Sequence, residues 1–285
     1  MIFKIMFASF FLLFAPIEAH SWGSEGHQIV CAIALIKLTP QAKIMVDQLM
    51  EEGEALEGGR VSFTQSCLWP DYVKYRSYKG SYEQHFINVP NEANSINFSR
   101  DCAELNCLAT GIQSALAYLV KPAVSRREKV RRAAAVRFLG HFIGDLHQPL
   151  HVGNASDWGG NKIEVKWRSK KTNLHAFWDS GMLKSIGITY PSSLNSLLSE
   201  RVEESDKKKP VIEWFNESLS LARTNAYRDE KGSIIFSGAR IGTGYIRRNQ
   251  PVLVKRLVLA GERLARMLND VAAGKEPPII LGISR

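Results

Sequence analysis

No apolar run after residue 21 is long enough to cross a bilayer, which excludes an integral helical membrane protein. No linker rich in Pro, Gly or Ser, no low-complexity tract and no internal repeat divides the chain, so a single domain is expected over residues 22–285. Cysteine is scarce, with four in 285 residues. None are spaced Cys-x-x-Cys, which argues against a thiolate-held zinc. Histidine is scarce too, at seven in the whole chain. The remainder is 45% hydrophobic and 23% charged, an ordinary globular composition with enough apolar residues for a sizeable core.

The first residues read as a leader. Lys4 precedes an apolar run from Ile5 to Pro16, and Ala19 and Ser21 are small residues at the positions a signal peptidase inspects, so cleavage is expected after Ser21. The mature protein is then exported, secreted or periplasmic, and has no stable membrane association. All four cysteines survive the cut, and two disulfides are the natural reading in an oxidising compartment. Cys102 and Cys107 would close a short loop, leaving Cys31 with Cys67, although three pairings are formally open. The leader carries one cation, Lys4, and one anion, Glu18, so the net charge of +9 is unchanged by its loss. That balance suits an anionic partner. The basic stretches Arg126–Arg132 and Lys207–Lys209 read as solvated helix faces.

Apolar residues spaced three and four apart predict helices at about 24–52, 104–120, 127–148, 173–185, 193–204, 211–227 and 250–272. Pro251 suits the first turn of the last, with Val252, Leu253, Leu257, Ala260, Leu264 and Leu268 as its buried stripe. Lys-Ile-Glu-Val-Lys-Trp, from residue 162, alternates as one half of a short hairpin. The fold class is therefore mainly α with a short β-hairpin. The Gly159-Gly160 pair ahead of the hairpin is either a plain turn or a place where backbone approaches a ligand.

Three of the seven histidines fall in one run, His141-Phe-Ile-Gly-Asp145-Leu-His147-Gln-Pro-Leu-His151. Positions i and i+4 share a helix face about 6 Å apart along the axis, so His141 and Asp145 can grip one ion. His147 points away and reads as structural. Pro149 turns the chain after Gln148 and brings His151 in from a new direction. His175-Ala-Phe-Trp-Asp179 repeats the His/Asp spacing. Trp69-Pro-Asp71 and His85-Phe-Ile-Asn88 lie in an irregular stretch between helices. The new N-terminus, Trp22-Gly-Ser-Glu-Gly-His27, would offer an α-amino group that ionises near neutrality, a carbonyl and a nearby imidazole.

Taken in order, Trp22, His27, Trp69-Pro-Asp71, His85-Phe86, His141, Asp145, His151, Gly159-Gly-Asn161, His175 and Asp179 resemble the zinc-dependent single-strand nucleases typified by the fungal S-one and P-one nucleases. The motifs span Trp22 to Asp179. The resemblance implies a mainly helical single domain with a trinuclear zinc cleft that cuts single-stranded DNA and RNA to 5′-nucleotides, with 3′-nucleotidase activity as a further expectation. It implies three Zn²⁺: one held by Asp71, His85 and His141, a second by the Trp22 amine and carbonyl with His27, and a third by His151, His175 and Asp179. Asp145 would bridge the first two. The Cys102–Cys107 loop also resembles a bridge of that family. Asp71, Lys74 and Asp145 are the candidate catalytic residues, and Phe86, Asn88 and Asn161 the candidate substrate contacts. Phe86 would stack an unpaired base and Asn161 would meet a base edge. Two positions depart from the fungal pattern, Lys74 where arginine stands and Asn88 where an acid stands.

Two rivals share parts of this pattern. A zinc-dependent phospholipase C has a similar N-terminal Trp and similar His/Asp ligands, and an exported metal- or nucleic-acid-binding protein would need no chemistry at all. The His85-Phe86 pair, the Gly-Gly-Asn loop and the basic charge favour a nucleic-acid substrate. The chain is expected to act as a monomer.

Overall fold

Caps set where the helices begin. The Ser125 hydroxyl accepts from the Glu128 N–H while the Glu128 carboxylate accepts from the Ser125 N–H, a capping box that opens Arg126–His147. Thr39 caps Pro40–Glu52 by accepting from the Ala42 N–H. Pro40 has no N–H to continue a helix, so the stretch expected as one helix over 24–52 is two.

This computed structural model describes residues 22–281; the expected leader lies outside them. Its long helices are α1 (Ser24–Lys37), α2 (Pro40–Glu52), α3 (Leu108–Val120), α4 (Arg126–His147), α5 (Val211–Leu221) and α6 (Thr243–Ala272). The helix expected from 104 starts later because the Cys102–Cys107 disulfide closes a loop ahead of it. The expected 193–204 helix shrinks to Leu194–Leu198, with a separate turn at Glu204–Lys208. The last helix begins earlier than its apolar stripe, and Pro251 sits inside it rather than in its first turn. That position is exposed, so water can take the carbonyl that the proline leaves unpaired. Leu253, Leu257, Ala260, Leu264 and Leu268 are buried as expected.

The hairpin is present: β1 (Glu164–Trp167) pairs antiparallel with β2 (Lys170–Asn173), Val165 opposite Thr172. A third strand, β3 (Ala239–Ile241), adds to β1 in parallel and was not legible from its three residues. The Arg126–Arg132 stretch is a largely exposed face of α4, and Lys207–Lys209 are paired with Glu204, Asp206, Glu217 and Glu262, in line with the solvated-face reading.

Helix α4 is the axis of the molecule. It packs on α1, α2, α3, α5 and α6, and every residue from Ala133 to His147 is buried. Its C-terminal turns therefore deliver polar side chains into the interior, where each must find a partner or an ion. No helix among the described residues is long and apolar enough to cross a membrane.

Candidate metal centre

His141 and Asp145 project from one face of α4, with His141 Nε2 3.4 Å from Asp145 Oδ2. Helix α1 brings His27 onto the same spot. Gly144 permits this, because a Cβ there would lie 2.7 Å from His27 Nδ1. The His27 and His141 rings stack with centroids 3.8 Å apart. The Cys31–Cys67 disulfide ties α1 to the segment that leads into the short helix Trp69–Val73, which carries Asp71 in its first turn. Both sequence-derived disulfide pairings are thus present.

His85 closes a 3₁₀ turn, Lys79–His85, with Nδ1 3.0 Å from Asp145 Oδ2 and 3.9 Å from Asp71 Oδ1. His141 Nε2 lies 3.6 Å from Asp71 Oδ1. Asp145 is thus shared: Oδ2 faces His85 and His141, while Oδ1 is 3.4 Å from His27 Nε2.

The chain beyond Gln148 leaves helical geometry as Pro149 demands, and Pro149–Val152 is a 3₁₀ turn carrying His151. Backbone bonds from Ile87 N–H to His151 C=O and from Val89 N–H to Gly153 C=O zip this segment to the one after His85. His175 and Asp179 sit on a helical run that widens into a π-turn at Phe177–Gly181, and their Nε2 and Oδ2 are 3.4 Å apart. His151, His175 and Asp179 form one buried group able to hold an ion. His85, His141 and Asp145 form another, and His27, Asp71 and His141 a third that shares His141.

The protonation chemistry favours cations. Burial holds the His27, His85 and His175 imidazoles below the usual histidine range and brings His151 down to about 4, so these rings are neutral at pH 7. His151 gives its Nδ1 to the His85 carbonyl at 2.6 Å, and His175 gives its Nδ1 to the Gly159 carbonyl at 2.7 Å. Two bare Nε2 lone pairs are then left 3.2 Å apart, an arrangement that a shared cation relieves. Burial pushes the Asp145 carboxyl well above its ordinary range, Asp71 adding to the effect, and brings Asp179 up to about 6. Asp145 Oδ1, Asp179 Oδ2 and His85 Nε2 are buried without a hydrogen bond. Carboxylate oxygens and imidazole nitrogens with no thiolate make a donor set suited to zinc or a similar divalent ion.

Other expected residues fall close by. The Lys74 ammonium lies 2.6 Å from Asp71 Oδ1, and although burial disfavours its charge, Asp71 outweighs that and raises its pKa. Phe86 and Asn88 are half-buried on the strand-like segment after His85. Asn161 donates its side-chain amide to the Trp158 carbonyl, bracing the loop. Trp22 is buried against Gly26, and the adjacent Gly23 N–H bonds the Asp179 carbonyl, which brings the start of the described chain to the group of His151, His175 and Asp179.

His147 is structural, as expected. Its Nδ1 bonds the Ile143 carbonyl and its Nε2 accepts from Arg263, inside a buried network of Arg256, Arg263, Glu217 and Ser218. The Gly159-Gly160 question resolves toward neither bare alternative. Both glycines have positive φ, a Cβ at Gly159 would strike the Leu150 carbonyl, and the Gly159 carbonyl orients His175. Sequence reasoning missed Gln148, whose amide donates to Asp179 Oδ1 at 2.6 Å and whose Oε1 accepts from the Leu150 N–H. It also missed Gly144. Both stand inside the histidine-rich run, where a small residue and an amide between ligands were the available signal.

Three His/Asp groups gathered around the C-terminal end of α4 could each hold a metal ion, a donor arrangement of the kind metal-dependent hydrolases use. The family model described as S1/P1 Nuclease matches residues 22–273, and the chain belongs to that family, whose members hydrolyse phosphodiester bonds. It is similar to Endonuclease 2 of Arabidopsis thaliana, 34% identical over 94% of this chain and 96% of that one. Nuclease P1 of Penicillium citrinum is 31% identical over 73% of this chain and 77% of its own, and Nuclease S1 of Aspergillus oryzae is 26% identical over 89% and 93%. These comparisons lend the phospholipase C alternative no support.

Proposed function

We propose that residues 1–21 are removed on export and that residues 22–285 act as one monomeric domain, secreted or periplasmic, that cuts single-stranded DNA and RNA to 5′-nucleotides with three Zn²⁺. The observation that carries this reading is the divided carboxylate of Asp145, one oxygen toward His27 and the other toward His85 and His141. A carboxylate so placed fits a bridge between two ions.

Asp71, His85 and His141 would hold one zinc, the Trp22 amine and carbonyl with His27 a second, and His151, His175 and Asp179 the third. When bound, zinc ions supply Lewis acidity and lower the pKa of coordinated water toward neutrality. The protein's own residues then orient the strand. Lys74 keeps its charge beside Asp71 and steadies a phosphate as a point charge rather than a bidentate fork. Asn88 can align a water or sugar hydroxyl but cannot take its proton. Phe86 receives an unpaired base, and Asn161 meets a base edge. A base within a duplex offers no free face, so strand preference follows from exposure.

Metal analysis of the mature protein, paired with digestion of single-stranded and duplex DNA and of RNA, tests this. Three zinc per chain and chelator-reversible cleavage of single strands are expected. Stable strand binding without cleavage at any zinc level would mean a binding protein instead.

A further inference from the structure

Around Lys74 and Phe86, three tyrosines face solvent: Tyr72 is 58% exposed, Tyr75 50% and Tyr82 43%. Two of them form a row. The Tyr75 and Tyr82 ring centroids are 5.4 Å apart, and Tyr82 meets Phe86 edge-on at 5.8 Å. The row starts at Lys74, whose ammonium is 5.6 Å from the Tyr75 ring centre and also bonds Asp71. It ends at Phe86, the residue after His85. The core does not require it. Tyr78, between them in sequence, turns the other way and packs edge-on against Trp69 and Phe138. Thus one tyrosine of the segment serves the interior while its neighbours hold a contiguous aromatic surface in water, an arrangement that marks a binding surface more than a packing need.

We propose that Tyr75, Tyr82 and Phe86 form a stacking row for successive unpaired bases, so that the strand is held over several nucleotides with a phosphate at the Lys74 end. This rests on the nuclease reading and adds to it an extended subsite outside the ligand groups. Each base stacked on an aromatic ring contributes about 1–3 kcal/mol, so loss of one ring should weaken binding about ten-fold. Every base has a π-face, so the row selects unpaired strands without selecting sequence.

The test uses the zinc-loaded protein and two fluorescent hexamers with hydrolysis-resistant phosphorothioate linkages, one an oligothymidylate and one abasic, compared by anisotropy. The native protein should prefer the base-bearing strand by about ten-fold or more. Tyr75→Ala and Tyr82→Ala should each weaken that strand about ten-fold and leave the abasic one unchanged, while Tyr75→Phe and Tyr82→Phe keep the preference. Should an alanine variant fold poorly, Tyr75→Leu and Tyr82→Leu keep the bulk and should lose the preference as well. The proposal is overturned by a native protein without preference, by alanine or leucine variants that retain it, or by equal weakening of both strands. Failure of the nuclease reading shows separately, as natural oligothymidylate left uncut, and the binding comparison stands either way.

Discussion

Asp145 and His27 meet across two helices, Oδ1 3.4 Å from Nε2, while the other oxygen of Asp145 lies 3.0 Å from His85 Nδ1. One carboxylate therefore joins donors from α1, α4 and the turn before Phe86. Asp145→Asn keeps the shape but removes the charge that would serve two ions. We expect zinc content to fall by more than one per chain and kcat/KM to fall by more than the ~10–100-fold typical of an outer partner. Full zinc content in this variant would show that Asp145 does not bridge.

Gly144 should be as sensitive, although it bears no chemistry. A methyl there would meet His27 Nδ1 at 2.7 Å, so Gly144→Ala must shift the ring or part α1 from α4. The expected result is a loss of about 1–3 kcal/mol of stability together with selective loss of one zinc. Thermal unfolding and metal analysis on the same preparation check both.

Acid should empty the group formed by His151, His175 and Asp179. Burial brings Asp179 up to about 6 in the metal-free protein, so above that pH it is a carboxylate and below it the proton competes with the metal. In the metal-free fold the raised pKa favours folding at low pH, and that advantage is lost as pH rises through about 6. Zinc titrations from pH 8 to 5 should show affinity at this group falling below about pH 6. Flat affinity over that range would refute the assignment.

Glu217 should matter for folding rather than chemistry. Burial pushes its carboxyl up, but the Arg263 hydrogen bond and the charges of Arg256 and Arg263 outweigh this and bring it down to about 2. Its stabilisation is present above pH 4.5 and is lost as pH falls toward 2. Glu217→Gln leaves two buried guanidiniums facing each other beside His147, at a cost of about 3–5 kcal/mol. Urea unfolding at pH 7 measures it.

The proposed start of the mature chain at Trp22 offers the last test. If the Trp22 amine is a ligand, one extra residue ahead of it blocks coordination and sharply lowers activity. Mass spectrometry to verify the extension and zinc counting provide the check, and undiminished activity would remove the amine from the ligand set.

The His141/Asp145 and His175/Asp179 pairs were legible because an i, i+4 spacing is a local consequence of helix geometry. The turn at Pro149 was legible because proline restricts the residue before it. Helix ends were read less well. Pro40 broke one expected helix, whereas Pro251 was tolerated where its side of the helix is exposed, a difference set by packing and solvent rather than by proline itself.

By itself, then, the sequence determined which chemistry the protein carries: imidazoles and carboxylates at fixed helical spacing, two disulfides, and a basic balance suited to an anionic polymer. Tertiary structure decided how those groups combine. His27 reaches Asp145 because Gly144 leaves room, His175 is oriented by the Gly159 carbonyl, Gln148 holds Asp179, and the Tyr75–Tyr82 row faces outward while Tyr78 faces inward. Helical spacing is enforced by bonds within one turn and can be counted along the chain. Contacts between distant segments depend on how α1, α4 and the intervening loops pack, which no single stretch encodes.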